Sequence, residues 1–201
     1  MLPSYSSVNY RHIGWSALAI LAFATVAYAV PIIIDDVTST TATNDGVINA
    51  GEYVGLSTGI NAGFGDVIGA NSELHVDSDA IGALNFGLVG GGGGMNDAVV
   101  IYLDTQPGGF SSTSGFTDTG DALRVAISGF DGTNRATLNF APGFEADHAI
   151  AFDANFAGIW QLVNGGSHAY VNSANLTPVG NAAAGQWELN LTLADIALNP
   201  G

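Results

Sequence analysis

The stretch Val99-Val100-Ile101-Tyr102-Leu103 decides the fold that we predict for this chain. It is a short unbroken run of apolar, β-branched and aromatic residues, with polar residues on either side. Such a run is typical of a strand that is covered on both faces, so we expect a central strand here. A loop rich in Gly, Ser, Thr and Asp follows it, and then the segment Ala122-Leu123-Arg124-Val125-Ala126-Ile127.

Further runs that resemble strands occur in pairs around turn residues. Each pair predicts an antiparallel hairpin: residues 74–76 with 83–88, residues 124–127 with 136–140, and residues 149–152 with 158–162. Residues 187–193 alternate between apolar and polar side chains, as in a strand with one buried face. Sustained helical periodicity is absent, and the best candidate for a short helix is Leu193 to Leu198. We therefore predict an all-β fold, a single antiparallel β-sandwich over residues 30–201.

Residues 1–29 have the layout of a secretory signal peptide, with an apolar helix between a weakly basic start and a cleavage site. Arg11 and His12 form the start, and Ala27-Tyr28-Ala29 is a small-x-small site for signal peptidase. Cleavage there makes Val30 the first residue of a secreted or cell-surface protein. The alternative is an uncleaved membrane anchor, because residues 13–34 are nearly long enough to span a bilayer. Pro31 and two aspartates follow closely and favour cleavage.

The chain is strongly acidic, which limits its partners. Lys and Arg total 3 against 18 Asp and Glu, a net charge of −15. Without the leader, which contains Arg11, 2 basic and 18 acidic residues remain and the net charge is −16. Such a field excludes nucleic acid and anionic membrane surfaces as expected partners and leaves divalent cations and neutral glycans open. There is no cysteine, so disulfides and thiolate chemistry are excluded.

Carboxylates concentrate in the predicted loops, where hard oxygen ligands suit Ca²⁺ and a bound ion would relieve charge repulsion. We predict structural calcium in these loops, with Asp104, Asp118 and Asp121 as the metal ligands. The alternative is a solvated acidic rim.

Residues 41–52 have the spacing of a helix-loop-helix calcium loop, with Asp45, Gly46 and Glu52 in place. Thr41 and Thr43, however, stand where such a loop needs acidic or amide ligands. This departure favours a plain turn at Asp45-Gly46.

No motif in the chain indicates catalysis, because nucleophile-elbow, zinc-protease and phosphate-loop patterns are missing. We therefore predict a protein that is not an enzyme. Exposed aromatic side chains are the usual platform for sugars, and Trp160, Tyr170 and Phe110 are candidates, although the apolar run around Trp160 is also consistent with a core position. His168 and Tyr170 share a face if Ser167 to Val171 forms a strand. The predicted ligand-binding residues are Trp160, His168 and Tyr170.

Three segments in order resemble a known kind of domain. Residues 45–53 are similar to the opening of family-nine carbohydrate-binding modules and the related DOMON-like sandwiches, in which Asp-Gly precedes a hydrophobic residue and then Glu and an aromatic residue. Residues 100–104 resemble their central strand, and residues 188–198 resemble their last strand and short helix. The resemblance implies a jelly-roll-like sandwich that binds glycans or is structural. It also implies a further strand after this point, so the domain is predicted to lack its last strand.

Two functions follow from these observations. The first is a secreted, non-catalytic module that binds extracellular polysaccharide and contains structural calcium. The alternative is a self-associating structural protein of the cell surface or extracellular matrix, whose partners are copies of itself. A hydrolase is a third, disfavoured reading. The composition, rich in Gly and Asp, also resembles that of secreted bacterial proteins that carry a C-terminal sorting signal.

Overall fold

The computed structural model describes residues 42–53, 55–58, 67–69, 71–78, 82–92, 94–171, 179–181 and 184–196. The predicted leader and the predicted site of its cleavage lie outside these residues, as does the end of the chain. No helix in the described ranges is long and apolar enough to cross a membrane. The described strands form two sheets, one of five strands and one of four.

The strands account for most of the regular structure: β1 Gly55–Thr58, β2 Glu73–Ser78, β3 Ala83–Val89, β4 Val99–Leu103, β5 His148–Phe152, β6 Ala157–Gln161, β7 Ala169–Tyr170, β8 Val179–Asn181 and β9 Gln186–Thr192. The five-stranded sheet has the order β1-β2-β3-β9-β8, and the four-stranded sheet has the order β4-β5-β6-β7. Every strand pairing among them is antiparallel. One helix, α1, spans Ala122–Ser128, and a 3₁₀ turn spans Leu193–Ile196. The prediction of an all-β fold is thus confirmed at the level of two antiparallel sheets with one short helix.

Two of the three predicted hairpins are confirmed. β2 pairs with β3, and β5 pairs with β6, each across the turn that the sequence indicated. The alternating strand near the C-terminal end is β9, which pairs with β3 on one side and β8 on the other. Its alternation matches the burial of Trp187, Leu189 and Leu191 on one face. Period-two patterning therefore located β9, although Glu188, on its other face, is buried as well.

The third predicted hairpin, residues 124–127 with 136–140, is wrong. Residues 122–128 form α1, which begins where the carboxylate of Asp121 accepts a hydrogen bond from the Arg124 amide at 2.9 Å. Gly129 ends the helix in the left-handed conformation, at φ 59°. Leu123 and Ile127, four residues apart, lie on one face of the helix and are buried. The two caps and this spacing outweigh the apolar character of the run.

β4 is a strand as predicted, but among the described residues it pairs only with β5 and is the outermost strand of its sheet. Its apolar character reflects burial on both faces. Val99, Ile101 and Leu103 belong to one apolar cluster, and Tyr102 belongs to another. An unbroken apolar run thus indicates coverage of both faces and not pairing at both edges.

The first apolar cluster contains side chains from both sheets, including Phe86 and Leu189 from the five-stranded sheet and Ile101, Ile150 and Ile159 from the four-stranded sheet. Each sheet contributes side chains of one face to this cluster, here called the shared core, and a segment of chain lies over its other face.

Residues 104–147, here called the covering segment, lie over the remaining face of the four-stranded sheet. Side chains of this face, such as Ala149 and Trp160, form the second cluster with Phe116 and Ile127 of the covering segment. The hydroxyl of Tyr102 donates a hydrogen bond to the carbonyl of Ile127 at 2.6 Å and so ties the sheet to α1.

Residues 42–53, here called the N-terminal segment, lie over the remaining face of the five-stranded sheet. Gly87 of β3 makes this approach possible, because a Cβ at that position would lie 2.9 Å from Cδ1 of Ile48 and 3.2 Å from Cζ of Tyr53. Tyr53 also contacts His75 of β2, with ring centroids 5.7 Å apart.

Candidate functional site

Two aromatic rings stand exposed at one end of the four-stranded sheet. Phe156 is 45% exposed and Tyr170 is 44% exposed, and their ring centroids lie 6.5 Å apart with 33° between the planes. Trp160 lies against Tyr170 at 5.4 Å and is itself only 4% exposed. We call these three residues the aromatic patch. It is a solvent-facing apolar surface with a buried ring behind it.

Local sequence positions each ring of the aromatic patch. Trp160 of β6 is the register partner of Tyr170 of β7, so their side chains stand side by side on one face. Gly158 lies two residues before Trp160 on the same face, and a Cβ there would lie 2.6 Å from Cη2 of Trp160 and 3.0 Å from Cε2 of Tyr170. The absence of a side chain at position 158 therefore makes room for both rings.

Phe156 is held by the turn between β5 and β6. The carboxylate of Asp153 accepts hydrogen bonds from the amides of Asn155 at 2.7 Å and Phe156 at 2.9 Å. An Asp side chain that bonds the backbone two or three residues on fixes a turn in this way. Phe156 was not among the residues predicted from the sequence, although an aromatic residue at the end of an Asp-x-Asn turn is a readable signal for an exposed ring.

Of the three predicted ligand-binding residues, the structure brings Trp160 and Tyr170 into contact. His168 is placed differently, because β7 comprises only Ala169–Tyr170 and His168 precedes it as a buried residue. Its ring packs edge-on against Phe116 with centroids 5.0 Å apart. Phe110, the other aromatic candidate, packs against Phe116 at 5.1 Å.

The hydrogen bonds of His168 identify the tautomer of its neutral ring. Nδ1 accepts a hydrogen bond from the Val163 amide at 3.1 Å, so in the neutral ring the proton is on Nε2, which lies 3.1 Å from Oγ of Ser128. Burial lowers the pKa of His168, which favours this neutral form. An imidazole that donates to Ser128 cannot take its proton, so the pair is not an activated nucleophile.

A second buried polar group joins the two ends of the covering segment. Asp147 accepts hydrogen bonds from the amides of Thr105 at 2.8 Å and Gln106 at 3.0 Å through one oxygen. Its other oxygen contacts the Thr105 hydroxyl and Nδ1 of His148. Burial raises the pKa of Asp147, but the hydrogen bonds from His148 and Thr105 outweigh it, and the net pKa is lowered.

This arrangement differs from a catalytic triad. The hydroxyl of Thr105 and the carboxylate of Asp147 both contact Nδ1 of His148. In a triad the two ring nitrogens contact different groups, one the carboxylate and the other the nucleophile. Because Asp147 stands at one end of the covering segment and accepts from Thr105 and Gln106 at the other end, it holds the two ends of that segment together.

The third polar group holds the N-terminal segment in place. Glu188 of β9 is buried, and one of its oxygens accepts hydrogen bonds from three successive amides, those of Asp45 at 3.0 Å, Gly46 at 2.6 Å and Val47 at 3.1 Å. Its other oxygen accepts from the hydroxyl of Tyr53 at 2.5 Å. Burial, and next the hydrogen bond to Glu188, raise the pKa of Tyr53 above its ordinary value. The motif over residues 45–53 is thus the contact surface of this segment.

Glu52 is part of the N-terminal segment and stabilises it by hydrogen bonds within the segment. Its carboxylate accepts hydrogen bonds from the amide and hydroxyl of Thr43 and from the amide of Asn49. Burial raises its pKa, but the bonds from Asn49 and Thr43 outweigh that effect and lower it. Gly46 has φ 85°, the left-handed conformation that a turn requires. The structure therefore contains the predicted turn at Asp45-Gly46, with Glu52 engaged by the chain itself.

The three residues predicted to bind calcium each have protein partners. Asp118 accepts hydrogen bonds from the Gly120 amide at 2.9 Å and the His168 amide at 2.7 Å. Asp121 pairs with Nε of Arg124 at 2.8 Å, and Nη1 of Arg124 lies 3.7 Å from Asp118. Asp104 accepts from the amide of Glu145 at 3.0 Å, and burial raises its pKa.

Arg124 thus supplies the positive charge between Asp118 and Asp121. The described ranges contain no group of three or more His, Asp or Glu side chains that could hold a metal ion, so Asp104, Asp118 and Asp121 do not form one. Calcium binding stays a prediction, and a test of it is given below.

Comparisons of the chain with family models, with curated proteins and with solved structures found no match. The resemblance to family-nine modules and DOMON-like domains therefore stays a prediction.

Proposed function

We propose that this protein is a secreted, non-catalytic module that binds extracellular polysaccharide through the aromatic patch. The observation that carries the proposal is the pair of exposed rings, Phe156 and Tyr170, backed by the buried ring of Trp160. We further propose that the two sheets pack face to face as a jelly-roll-like β-sandwich of the carbohydrate-binding-module and DOMON type. The apolar cluster shared between the sheets supports this arrangement.

The aromatic patch has the physical properties that sugar binding requires. The C–H faces of a pyranose are apolar, and they gain dispersion and hydrophobic contact when they stack on the face of an aromatic ring. Tyr170 is restrained by Trp160, and Phe156 is restrained by the Asp153 turn. Rings that are already ordered lose less conformational freedom on binding, which favours affinity.

The polar groups support a binding role over a catalytic one. Ser128 and His168 are buried, with the imidazole as donor, and Thr105 and His148 share one aspartate inside the closure of the covering segment. Their hydrogen-bonding capacity is used to hold the fold. The proposal therefore assigns the protein recognition of a ligand and no chemistry upon it.

A specific observation favours self-association as the second candidate function. Tyr170 lies on β7, a two-residue strand that pairs only with β6 among the described residues. Exposed apolar rings beside an edge strand can bind a second copy of the chain. If the patch binds a second copy, the wild-type protein and its variants should show no retention by polysaccharide, and removing the rings should change the oligomeric state.

The proposal is tested by affinity electrophoresis of the full chain, purified as the cell exports it, in gels that contain soluble polysaccharides. Tyr170→Ala and Phe156→Ala should each weaken retention at least about tenfold, which corresponds to ~1.4 kcal/mol. Tyr170→Phe keeps the ring and should keep most of the retention. Val47→Ala removes another exposed apolar side chain, 39% exposed, and is the matched control. Retention that survives loss of both rings would contradict the proposal, and size-exclusion chromatography of the same variants tests self-association.

A further inference from the structure

We infer that the aromatic patch takes an uncharged polysaccharide and discriminates against polymers that carry carboxylate or sulfate groups. This inference rests on the proposed function and names the chemical class of the ligand. It follows from where the positive charges of the chain are placed.

The chain has only three Lys and Arg residues, and one of them, Arg11, is in the predicted leader. Arg124 pairs with Asp121 and lies beside Asp118. Arg135 donates hydrogen bonds to the carbonyls of Thr113 at 3.1 Å and Phe116 at 2.8 Å. Both guanidinium groups are therefore engaged within the covering segment. A binding site for acidic sugars ordinarily uses Arg or Lys for charge-assisted, bidentate contacts.

Arg135 is further occupied by a ring of its own segment, since its Cζ lies 4.5 Å from the centroid of the Phe130 ring. The histidines beyond the leader are engaged as well. His75 pairs with Glu73 at 3.0 Å, His148 pairs with Asp147, and His168 is buried beside Ser128. The arginine and histidine side chains of the described structure are thus each held by a partner within the protein.

The charge beside the aromatic patch is negative. Asp153 lies in the same turn as Phe156, and its carboxylate is partly exposed. The whole chain carries −15. An anionic polymer laid on Phe156 and Tyr170 would approach Asp153 without a cation to offset the repulsion between the like charges. A polymer whose polar groups are all hydroxyls avoids this repulsion and can still stack on the two rings.

The test compares polysaccharides that share a backbone and differ in charge. The probes are hydroxyethyl cellulose against carboxymethyl cellulose, desulfated carrageenan against carrageenan, and fully methyl-esterified pectin against polygalacturonate. The full chain is run by affinity electrophoresis at about 0.01 M salt, where the Debye length is ~30 Å, and at about 0.5 M salt, where it lies between ~3 Å and ~8 Å. At least one neutral polymer should bind, and its charged counterpart should bind at least about tenfold more weakly at low salt.

Two further measurements test the inference. Added salt should bring the affinities for the neutral and the charged polymer closer together, because it screens the repulsion. Asp153→Asn keeps an oxygen for the turn and removes the charge, so it should also bring the two affinities closer together. Equal or tighter binding of the charged polymers, lost in Tyr170→Ala, would overturn the inference and leave the proposed function standing. Retention by none of the six polymers would overturn both.

Discussion

Replacing Glu188 with alanine tests whether residues 45–53 are held as the structure indicates. In the wild-type protein the buried carboxylate accepts from the amides of Asp45, Gly46 and Val47 and from the hydroxyl of Tyr53. Alanine leaves all four donors without their acceptor. It also leaves an unfilled space between the N-terminal segment and β9.

The expected loss follows from these four donors. A buried donor left without an acceptor costs about 1–3 kcal/mol, so four of them set an upper bound of about 4–12 kcal/mol. The N-terminal segment can instead separate from the sheet and hydrate its amides, which limits the loss to what its docking contributes. We therefore expect Glu188→Ala to lower the free energy of unfolding by about 2–4 kcal/mol.

Glu188→Gln is the conservative comparison. Its amide oxygen can face the three backbone amides while its NH₂ group donates to the Tyr53 oxygen, which can accept as well as donate. The geometry survives and only the charge assistance is lost, for an expected loss of about 1–2 kcal/mol. Asn190→Ala, at an exposed position of the same strand, should stay within about 0.5 kcal/mol of wild type.

Urea denaturation followed by tryptophan fluorescence measures these differences, and amide hydrogen exchange at residues 45–47 shows whether the segment has separated. The expected order of loss is alanine, then glutamine, then the Asn190 control. The reasoning fails if Glu188→Ala matches the control while the amides of residues 45–47 remain protected.

Two further predictions concern charge. The pKa of Asp147 is lowered in the folded state, so its contribution to stability is present above the ordinary aspartate pKa of about 3.9 and is lost as the pH falls through the lowered value. Asp147→Asn should therefore lower the free energy of unfolding by about 1–2 kcal/mol at pH 7. Urea denaturation at pH 7, 5 and 3 should show that the difference in this free energy between the variant and the wild type becomes smaller in acid. A difference that stays constant contradicts this assignment. For calcium, millimolar Ca²⁺ added after EGTA should raise the melting temperature, and Asp118→Asn with Asp121→Asn should remove most of that rise; an unchanged melting curve for the wild-type protein would end the calcium prediction.

The strands could be predicted from the sequence because each is a short run of apolar or alternating residues between turn residues. In β9, Trp187, Leu189 and Leu191 face the shared core while Asn190 is exposed. The hairpins of β2 with β3 and of β5 with β6 were readable because acidic and small residues separate the two apolar runs. These are local signals, and tertiary structure did not override them.

The helix α1 escaped prediction because its seven residues are too few to establish a period. Val125 and Ala126 directly precede Ile127, so residues 125–127 read as a short apolar run of the kind that a strand also shows. The decisive signals were the Asp121 cap and the glycine at position 129, which lie outside the run. Caps therefore deserve the same weight as periodicity when a helix is this short.

The candidate site could be predicted only in part for a different reason. Trp160 and Tyr170 are ten residues apart in sequence, and only the register between β6 and β7 makes them neighbours. His168 lies two residues from Tyr170 but is buried against Phe116 of the covering segment, whereas Tyr170 is exposed. Side-chain partners across strands depend on register, which composition and spacing along one run do not reveal.

The position of the aromatic patch follows from how the two sheets are covered. One face of each sheet enters the shared core, and the remaining faces lie under the covering segment, closed by Asp147, and the N-terminal segment, held by Glu188. Among the described residues the exposed large apolar side chains are Val47, Phe156 and Tyr170, and of these only Phe156 and Tyr170 contact each other through their rings. Buried carboxylates thus close both faces, and the margin formed by the β5–β6 turn and β7 is where the fold can present adjoining rings to a ligand.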